Sequence, residues 1–317
     1  MRITPSIQTI TSKFIFIGGV SRSGKSFLCP IISSFKKTEM FLINSLAENI
    51  AYSNSLKKLD KDLSQYLLKL TFNESVYNLN IGRNLNARKK DYSSFFQYKQ
   101  PKQYLRRIAS KVEGDQVLRK IKKQDHFYPV MFHDVLINPK ILLESFKNAK
   151  IIYIERHPVE IINEWVIKKY SSKFWKNPRN TTLTFKIKNN SFPFWSLKKI
   201  KLMINSNNEI EKTIYSLGAL LLQQKKNLIK LDKKYKKKLL ILKFDNLVSK
   251  TNSEVKKICK FLNSNPSSFT KKIIQKQKGN RIIDRSLRSK LKKKYLRFMS
   301  KNSKKFFYKL EYQYEKK

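Results

Sequence analysis

The chain has little of what small or metal-dependent folds rely on. Of its 317 residues, two are cysteines, Cys29 and Cys259, and three are histidines. Two cysteines exclude a disulfide scaffold and a cysteine-based zinc site. Three histidines leave little room for a His-rich metal centre, so no metal is expected. Glycine (7) and proline (9) are sparse, and there is neither a low-complexity linker nor an internal repeat. No apolar run approaches the roughly 18 to 20 uncharged residues that a membrane span needs. The longest candidates, Phe14 to Val20 and Leu217 to Leu222, are far shorter. A signal peptide is not expected either, because the N-terminal apolar run flows into a glycine turn without a cleavage site. These absences point to a soluble, cytoplasmic globular protein.

Acidic residues are also scarce: 22 Asp and Glu face 69 Lys and Arg, for a formal net charge of +47 and a pI near 10.2. Hydrophobic residues at 40% and aromatics at 12% are too many for a disordered chain. The length allows one large domain or two small ones. Of the basic residues 13 are arginines and 56 are lysines. Arginine is the residue that reads phosphates and bases bidentately, so a specific nucleic-acid partner is not expected. Lysine, isoleucine, asparagine, phenylalanine and tyrosine share AT-rich codons, which accounts for much of the composition. Runs such as Lys236-Lys237-Lys238 read as solvated helix faces. A surface of this sign steers anionic small substrates and is compatible with peripheral contact at anionic surfaces.

Residues 13 to 18 form a continuous apolar run ending in glycines, as a buried parallel strand does. A helix is expected from about Lys25 to Phe35 and a short strand at Met40 to Ile43. Residues 44 to 126 are mostly helical in pattern, with Leu56, Leu59, Leu63, Leu67 and Leu70 at three- and four-residue spacing. Strand character returns at Tyr128 to Phe132 and at Ile151 to Ile154, and Pro158 opens a helix. Residues 171 to 195 read as irregular, with Asn177-Pro178 and Phe192-Pro193 as breakers. A long helix is expected from about Asn208 to Lys236, then a strand at Leu239 to Phe244. Thr251 to Glu254 reads as a capping box opening a helix through Phe261. The basic tail is helical from roughly Arg285. Strands alternating with helices imply an α/β, three-layer parallel sheet with flanking helices. The expectation is one domain over 1–317, with a helical insertion at 44–126 and a basic helical tail at 280–317.

Gly19-Val20-Ser21-Arg22-Ser23-Gly24-Lys25-Ser26 fits G-x-x-x-x-G-K-S, after a strand and before a helix. In that setting loop N–H groups and the helix N-terminus converge on an anion. Lys25 adds a point charge and Ser26 a hydroxyl. One enzyme class using such a loop is the ATP-dependent small-molecule kinase, which also needs an acidic metal-holding residue at a strand end. Asp134 and Asp245 are the candidates for that role.

The segment Ser21-Arg22-Ser23-Gly24-Lys25-Ser26-Phe27-Leu28 also resembles the loop with which sulfotransferases hold the 5′-phosphosulfate of 3′-phosphoadenosine 5′-phosphosulfate. Lys150 to Pro158, with Arg156-His157-Pro158 at its end, is similar to the family's strand ending in R-x-P. The resemblance implies that Arg156 binds the donor's 3′-phosphate. Leu240 to Leu247 resembles the family's late strand and acidic turn before a helix. These pieces span residues 14 to about 263 and imply a P-loop-like fold, sulfuryl transfer to a hydroxyl or amine, and that donor as co-substrate. They imply donor contacts at Ser21, Arg22, Ser23, Gly24, Lys25, Ser26, Phe27 and Arg156. Two departures stand out. Lys25 replaces the usual threonine, and Glu164 occupies the place of a serine that contacts the 3′-phosphate. A carboxylate there repels a phosphate unless it points away, and a basic protein that binds the anion without turnover stays a third reading. Lys278 to Arg281 matches the family's late glycine loop only weakly.

Phe132-His133-Asp134 ends the strand before the R-x-P strand. His133 therefore falls at the carboxyl edge of the sheet beside the phosphate loop, where an imidazole takes a proton from an attacking hydroxyl. The offset from His133 to Arg156 is similar to the family's, which implies a catalytic role for His133 with Arg22 and Lys25. The alternative for His133 is a strand-end cap. Glu39 and Glu48 are alternative bases, while His126 and His157 read as structural or exposed. The insertion reads as a cover over the acceptor, with Arg83 facing an anion or lying in a solvated loop with Asn84, Asn86 and Arg88. Trp165, Trp175, Trp195, Phe192 and Phe194 read as core packing ahead of an aromatic wall for a sugar or lipid acceptor.

Overall fold

A computed structural model describes residues 4–171, 181–187, 189–206 and 208–316. The first apolar run is strand β1 (Phe14–Gly19), buried at all six positions. A strand covered on both faces has no polar side to alternate with, which explains the unbroken run. Helix α1 (Lys25–Ser33), the short β2 (Leu42–Ile43) and helices α2 (Ser45–Ser55), α3 (Lys61–Asn80), α4 (Pro101–Ala109) and α5 (Asp115–Gln124) follow. Next come β3 (Tyr128–His133), α6 (Pro139–Ser145), β4 (Lys150–Glu155) and α7 (Pro158–Lys168). Pro158 lies in the first turn of α7, where a missing N–H costs nothing. The His157 ring caps that helix, accepting from the Val159 N–H at 3.3 Å.

Strands β5 (Thr184–Ile187) and β6 (Asn190–Pro193) pair antiparallel, so the stretch expected to be irregular contains a hairpin; Asn177-Pro178 lies outside the described residues. Then come α8 (Ile200–Ile204), α9 (Glu209–Lys230), α10 (Lys233–Lys236), β7 (Leu239–Lys243), α11 (Phe244–Ser249), α12 (Thr251–Leu262) and α13 (Thr270–Lys276). The tail forms α14 (Ser286–Leu296) and α15 (Lys301–Glu315). The expected long helix ends six residues early, because Leu231 turns extended and is buried. The capping box does not form. Thr251 Oγ1 donates to the Leu247 carbonyl at 2.7 Å, four residues back, and accepts from the distant Asn280 N–H at 2.9 Å, so other partners take the cap's hydroxyl.

The main sheet is five-stranded and parallel throughout, in the order β2-β3-β1-β4-β7. Phe14, Phe16, Phe72 and Phe146 interlock beneath it, with Phe14 and Phe146 edge-on at 4.6 Å. One pairing decides the rest of the argument: Gly19 is in register with His133. On the other side of β1, Gly18 pairs with Tyr153, and β4 ends with Glu155 opposite Lys243. The carboxyl ends of all five strands therefore share one edge, where α/β proteins bind ligands. Among the described residues no helix is long and apolar enough to cross a membrane.

Candidate active site

The turn leaving β1 opens between the ends of β3 and β4. It is tight enough that two glycines are obligatory. A Cβ on Gly19 would lie 2.3 Å from Ser23 Oγ, and one on Gly24, whose φ is +111°, 2.4 Å from the Phe244 ring. Arg22 is also left-handed, with φ of 72°, a conformation that L residues adopt at a cost. Ser23 is fully buried and its hydroxyl oxygen has no partner. Such an orphan inside a loop facing a helix N-terminus fits an absent anionic group. The Ser21 carbonyl accepts from the Trp165 indole at 3.1 Å, which anchors the loop to α7.

Lys25 does not point outward. Its Nζ donates to the carbonyls of Gly19 at 2.6 Å and Val20 at 2.9 Å and is buried. Burial lowers its pKa to about 8, and the charges of Asp134 and Glu48 oppose that shift. Ser26 is exposed, whereas the Phe27 side chain joins the core and its N–H donates to Gly24 O.

Arg156 projects from the end of β4 toward the same loop. Its Nη1 donates to the Arg22 carbonyl at 2.8 Å, and the guanidinium lies over the Phe244 ring, 4.7 Å from its centre. Its Nε donates to Glu160 at 2.7 Å, one turn along α7. The second oxygen of Glu160 accepts from Arg288 of α14 at 2.6 Å, and Arg288 also donates to Asp245. Glu164 points to Arg22, 3.7 Å from its Nε, and not to Arg156. The Arg156–Glu160 spacing was readable as an i,i+4 pair. Arg288, in the distant tail, carried no local signal.

At the end of β3, the Glu48 carboxylate accepts from the His133 backbone N–H at 2.6 Å and lies 3.1 Å from its Nδ1. Tyr52 donates to the His133 carbonyl at 2.6 Å. The imidazole remains 40% exposed, and donating Nδ1–H to Glu48 leaves Nε2 as the unprotonated ring nitrogen. Behind it Asp134 is buried and accepts from Gln224 at 2.9 Å. Burial raises its pKa to about 6 against the opposing charges of Lys25 and His133. Glu39 is elsewhere, at the amino end of the same strands. It pairs with Arg107 through both oxygens and also meets Tyr104 and His126. His157 is buried against Tyr314; burial first, then the Arg288 charge, lowers its pKa to about 4.

On the β2 side of the sheet, the end of β2, one face of α3 and the loop after it border a cleft of ≈ 500 Å³ whose lining does not include His133. Thr71, Glu74, Ser75 and Asn78 of α3 line it, while Leu68, Phe72 and Val76 of the same helix enter the core. Arg83 and Asn84 stand at its rim, and Arg83 pairs with Glu113 at 3.1 Å between two exposed side chains. Asn86 donates to Ser93 at 2.8 Å and accepts from the Arg88 N–H. Trp165, Trp195 and Phe194 are buried, so they are core and not a wall; Phe192 sits in β6, and Trp175 lies outside the described residues. Among the described residues no group of three or more His, Cys, Asp or Glu could hold a metal ion.

A parallel sheet whose first strand runs into a phosphate-type loop, with an arginine and a histidine at the neighbouring strand ends, defines an α/β protein of the P-loop-like kind. The family model described as Sulfotransferase domain matches residues 12–313, and the chain belongs to that family of sulfuryl-transferring enzymes. No curated protein sequence matches it. Among solved structures it is similar to the sulfotransferase domain of the curacin biosynthetic pathway, at 15% identity over 83% of this chain and 77% of that one, with a TM-score of 0.42. It is similar to the sulfotransferase domain of the Synechococcus PCC 7002 olefin synthase, at 12% identity over 99% and 98%, with a TM-score of 0.43. It also resembles a mouse sulfotransferase complexed with PAP, at 13% identity over 95% and 84%, with a TM-score of 0.38.

Proposed function

We propose that the donor is 3′-phosphoadenosine 5′-phosphosulfate and that the acceptor is a small hydroxylated molecule bound on the β2 side of His133. The observation that carries this reading is the position of the phosphate loop, with its orphaned Ser23 hydroxyl, between Arg156 at the end of β4 and His133 at the end of β3. Loop N–H groups and the hydroxyls of Ser21, Ser23 and Ser26 hold the 5′-phosphosulfate, with Gly24 and Phe27 supplying backbone. Arg156 takes the 3′-phosphate. The acceptor oxygen bonds to sulfur as the bridging S–O bond breaks, and the electron pair leaves with the nucleotide. His133 Nε2 accepts the acceptor's proton while Glu48 fixes the ring. Arg22 and Lys25, drawn off the carbonyls of Gly19 and Val20, offset charge on the transferring group and the leaving oxygen.

The polar face of α3 supports a sugar-like acceptor over a lipid one, because hydroxyls and amides recognise hydroxyls. Residues 44–126 then serve as the acceptor's cover, and the lysine-rich surface steers the anionic donor and contacts anionic surfaces. Buried, unpaired Cys29 and Cys259 suit a cytoplasmic setting. The kinase alternative has no comparable support: Asp245 is paired with Arg288 and Asp134 is held by Gln224. Glu164 points to Arg22, which keeps that carboxylate off Arg156, the proposed 3′-phosphate ligand.

Calorimetry with adenosine 3′,5′-bisphosphate, AMP and ATP, each with and without magnesium, tests the donor. The bisphosphate should bind without magnesium and exceed AMP by about 1.5 to 3 kcal/mol, the contribution of a charged hydrogen-bonded group. Tighter, magnesium-dependent ATP binding would establish the kinase instead.

A further inference from the structure

Glu160 stands between two arginines. One oxygen accepts from Arg156 Nε at 2.7 Å and the other from Arg288 Nε at 2.6 Å, and all three side chains are less than 20% exposed. Arg288 also reaches Asp245 at 2.5 Å, beside the Phe244 ring on which Arg156 lies. Arg288 thus pairs with the carboxylate that holds Arg156 and with Asp245, the residue after the Phe244 on which Arg156 lies. It comes from α14, 132 residues beyond Arg156 in the chain, in the stretch read from sequence as a basic helical tail.

We propose that Arg288 is a positioning residue for the donor's 3′-phosphate, and that helix α14 thereby sets the enzyme's preference for 3′-phosphorylated nucleotides. This rests on the reading of Arg156 as the 3′-phosphate ligand. A carboxylate shared by two guanidiniums holds Arg156 in place without consuming its charge. The same carboxylate facing Arg156 alone forms a closed neutral pair, and together with an unpaired Asp245 it repels an incoming phosphate dianion. Arg288 therefore acts on the nucleotide through Glu160 and Asp245, without touching it.

The test is a double-mutant cycle read by calorimetry with adenosine 3′,5′-bisphosphate and with AMP. Arg288→Ala should weaken the bisphosphate at least about tenfold and leave AMP within about twofold, as loss of a charge partner at a desolvated site does. Adding Glu160→Gln to that variant should recover most of the loss, because it removes the carboxylate that captures Arg156. A merely structural Arg288 predicts equal losses for both nucleotides and no recovery, and that result overturns the proposal, as does an unchanged bisphosphate affinity. If Arg288→Ala does not fold, Arg288→Lys is read the same way: it keeps the charge but not the fork that spans two carboxylates. It should lose about threefold on the bisphosphate alone, and no selective loss overturns the proposal. Arg156→Ala separates the two readings. If it fails to discriminate the nucleotides, the 3′-phosphate assignment falls and this inference with it; if it discriminates and the Arg288 variants do not, only this inference falls.

Discussion

The molecule contains the same pair of side chains twice, at opposite ends of the same two strands. At the amino end of β2 and β3, Glu39 lies 3.0 Å from His126; at the carboxyl end, Glu48 lies 3.1 Å from His133. The surroundings differ completely. Glu39 is additionally held by both arms of Arg107 and by Tyr104, so every lone pair of the carboxylate is used. Among the described residues the Glu48 carboxylate accepts hydrogen bonds only from His133, through a backbone N–H and a ring nitrogen, with the Lys25 charge nearby, and that ring stays 40% exposed. The first pair closes the bottom of the sheet. The second stands on the edge where strands deliver ligands, next to the phosphate loop. A glutamate–histidine contact is thus no signature by itself; saturation by other partners and the strand end it occupies are what distinguish the two pairs.

The comparison breaks most sharply at the two histidines. His133→Asn should lower turnover by roughly 10² to 10⁴, the usual contribution of a positioned base, with bisphosphate affinity within about twofold. His126→Asn should leave turnover per folded molecule unchanged and cost about 1 kcal/mol of stability as a lost hydrogen bond. Steady-state kinetics and urea melts on both variants measure this. Equal kinetic effects would mean that the two pairs do not differ in kind.

The legible parts of this chain were those whose chemistry is local. β1, its glycine turn and the first turn of α1 occupy adjacent residues, and Arg156 precedes a helix-opening proline, so motif and element confirmed each other. The difference between Glu39 and Glu48 was not legible. Arg107 lies 68 residues from Glu39, and His133 lies 85 from Glu48, separations that no periodicity encodes. The same distance hid Gln224 behind Asp134 and Arg288 behind Glu160. It also undid the capping box at Thr251, whose hydroxyl accepts from Asn280. Local pattern locates the edge of the sheet; long-range pairing decides which side chains there are held by other partners.

Arg107 sharpens the contrast from the structural side. Removing it with Arg107→Ala leaves the Glu39 charge buried and short of its main partner, which should destabilise the fold by about 3 to 5 kcal/mol. Acid makes the effect specific. Burial alone raises the Glu39 pKa, but the hydrogen bond from His126 and the charge and hydrogen bonds of Arg107 overcome it and hold the carboxyl at about 2, against an ordinary 4.5. The folded-state pKa is depressed, so this contribution is fully present above pH 4.5 and disappears as the pH falls toward 2; linkage gives it a size of about 3 kcal/mol. Urea midpoints between pH 7 and pH 2.5 should therefore fall more steeply for the wild type than for Arg107→Ala. Parallel slopes would show that Glu39 is not the group responsible.

The smallest effect tests what Glu48 adds to His133. Glu48→Gln keeps an oxygen that can accept from the His133 N–H but removes the charge facing the ring. If the carboxylate orients and balances an imidazole that becomes charged during transfer, turnover should fall roughly tenfold, or about 1.4 kcal/mol, the scale of one charge-assisted hydrogen bond. The KM for the donor should move less than turnover, because Glu48 lies on the β2 side of His133 and reaches the donor loop only through its charge on Lys25. The matching change at the other end, Glu39→Gln, should do the reverse: a lower urea midpoint and unchanged turnover per folded molecule. In the double variant His133→Asn/Glu48→Gln the second loss should vanish, since a positioning group has no effect once the group it positions is gone. Additive losses in that variant would make Glu48 an independent participant, and the two ends of the strands would then differ in more than saturation.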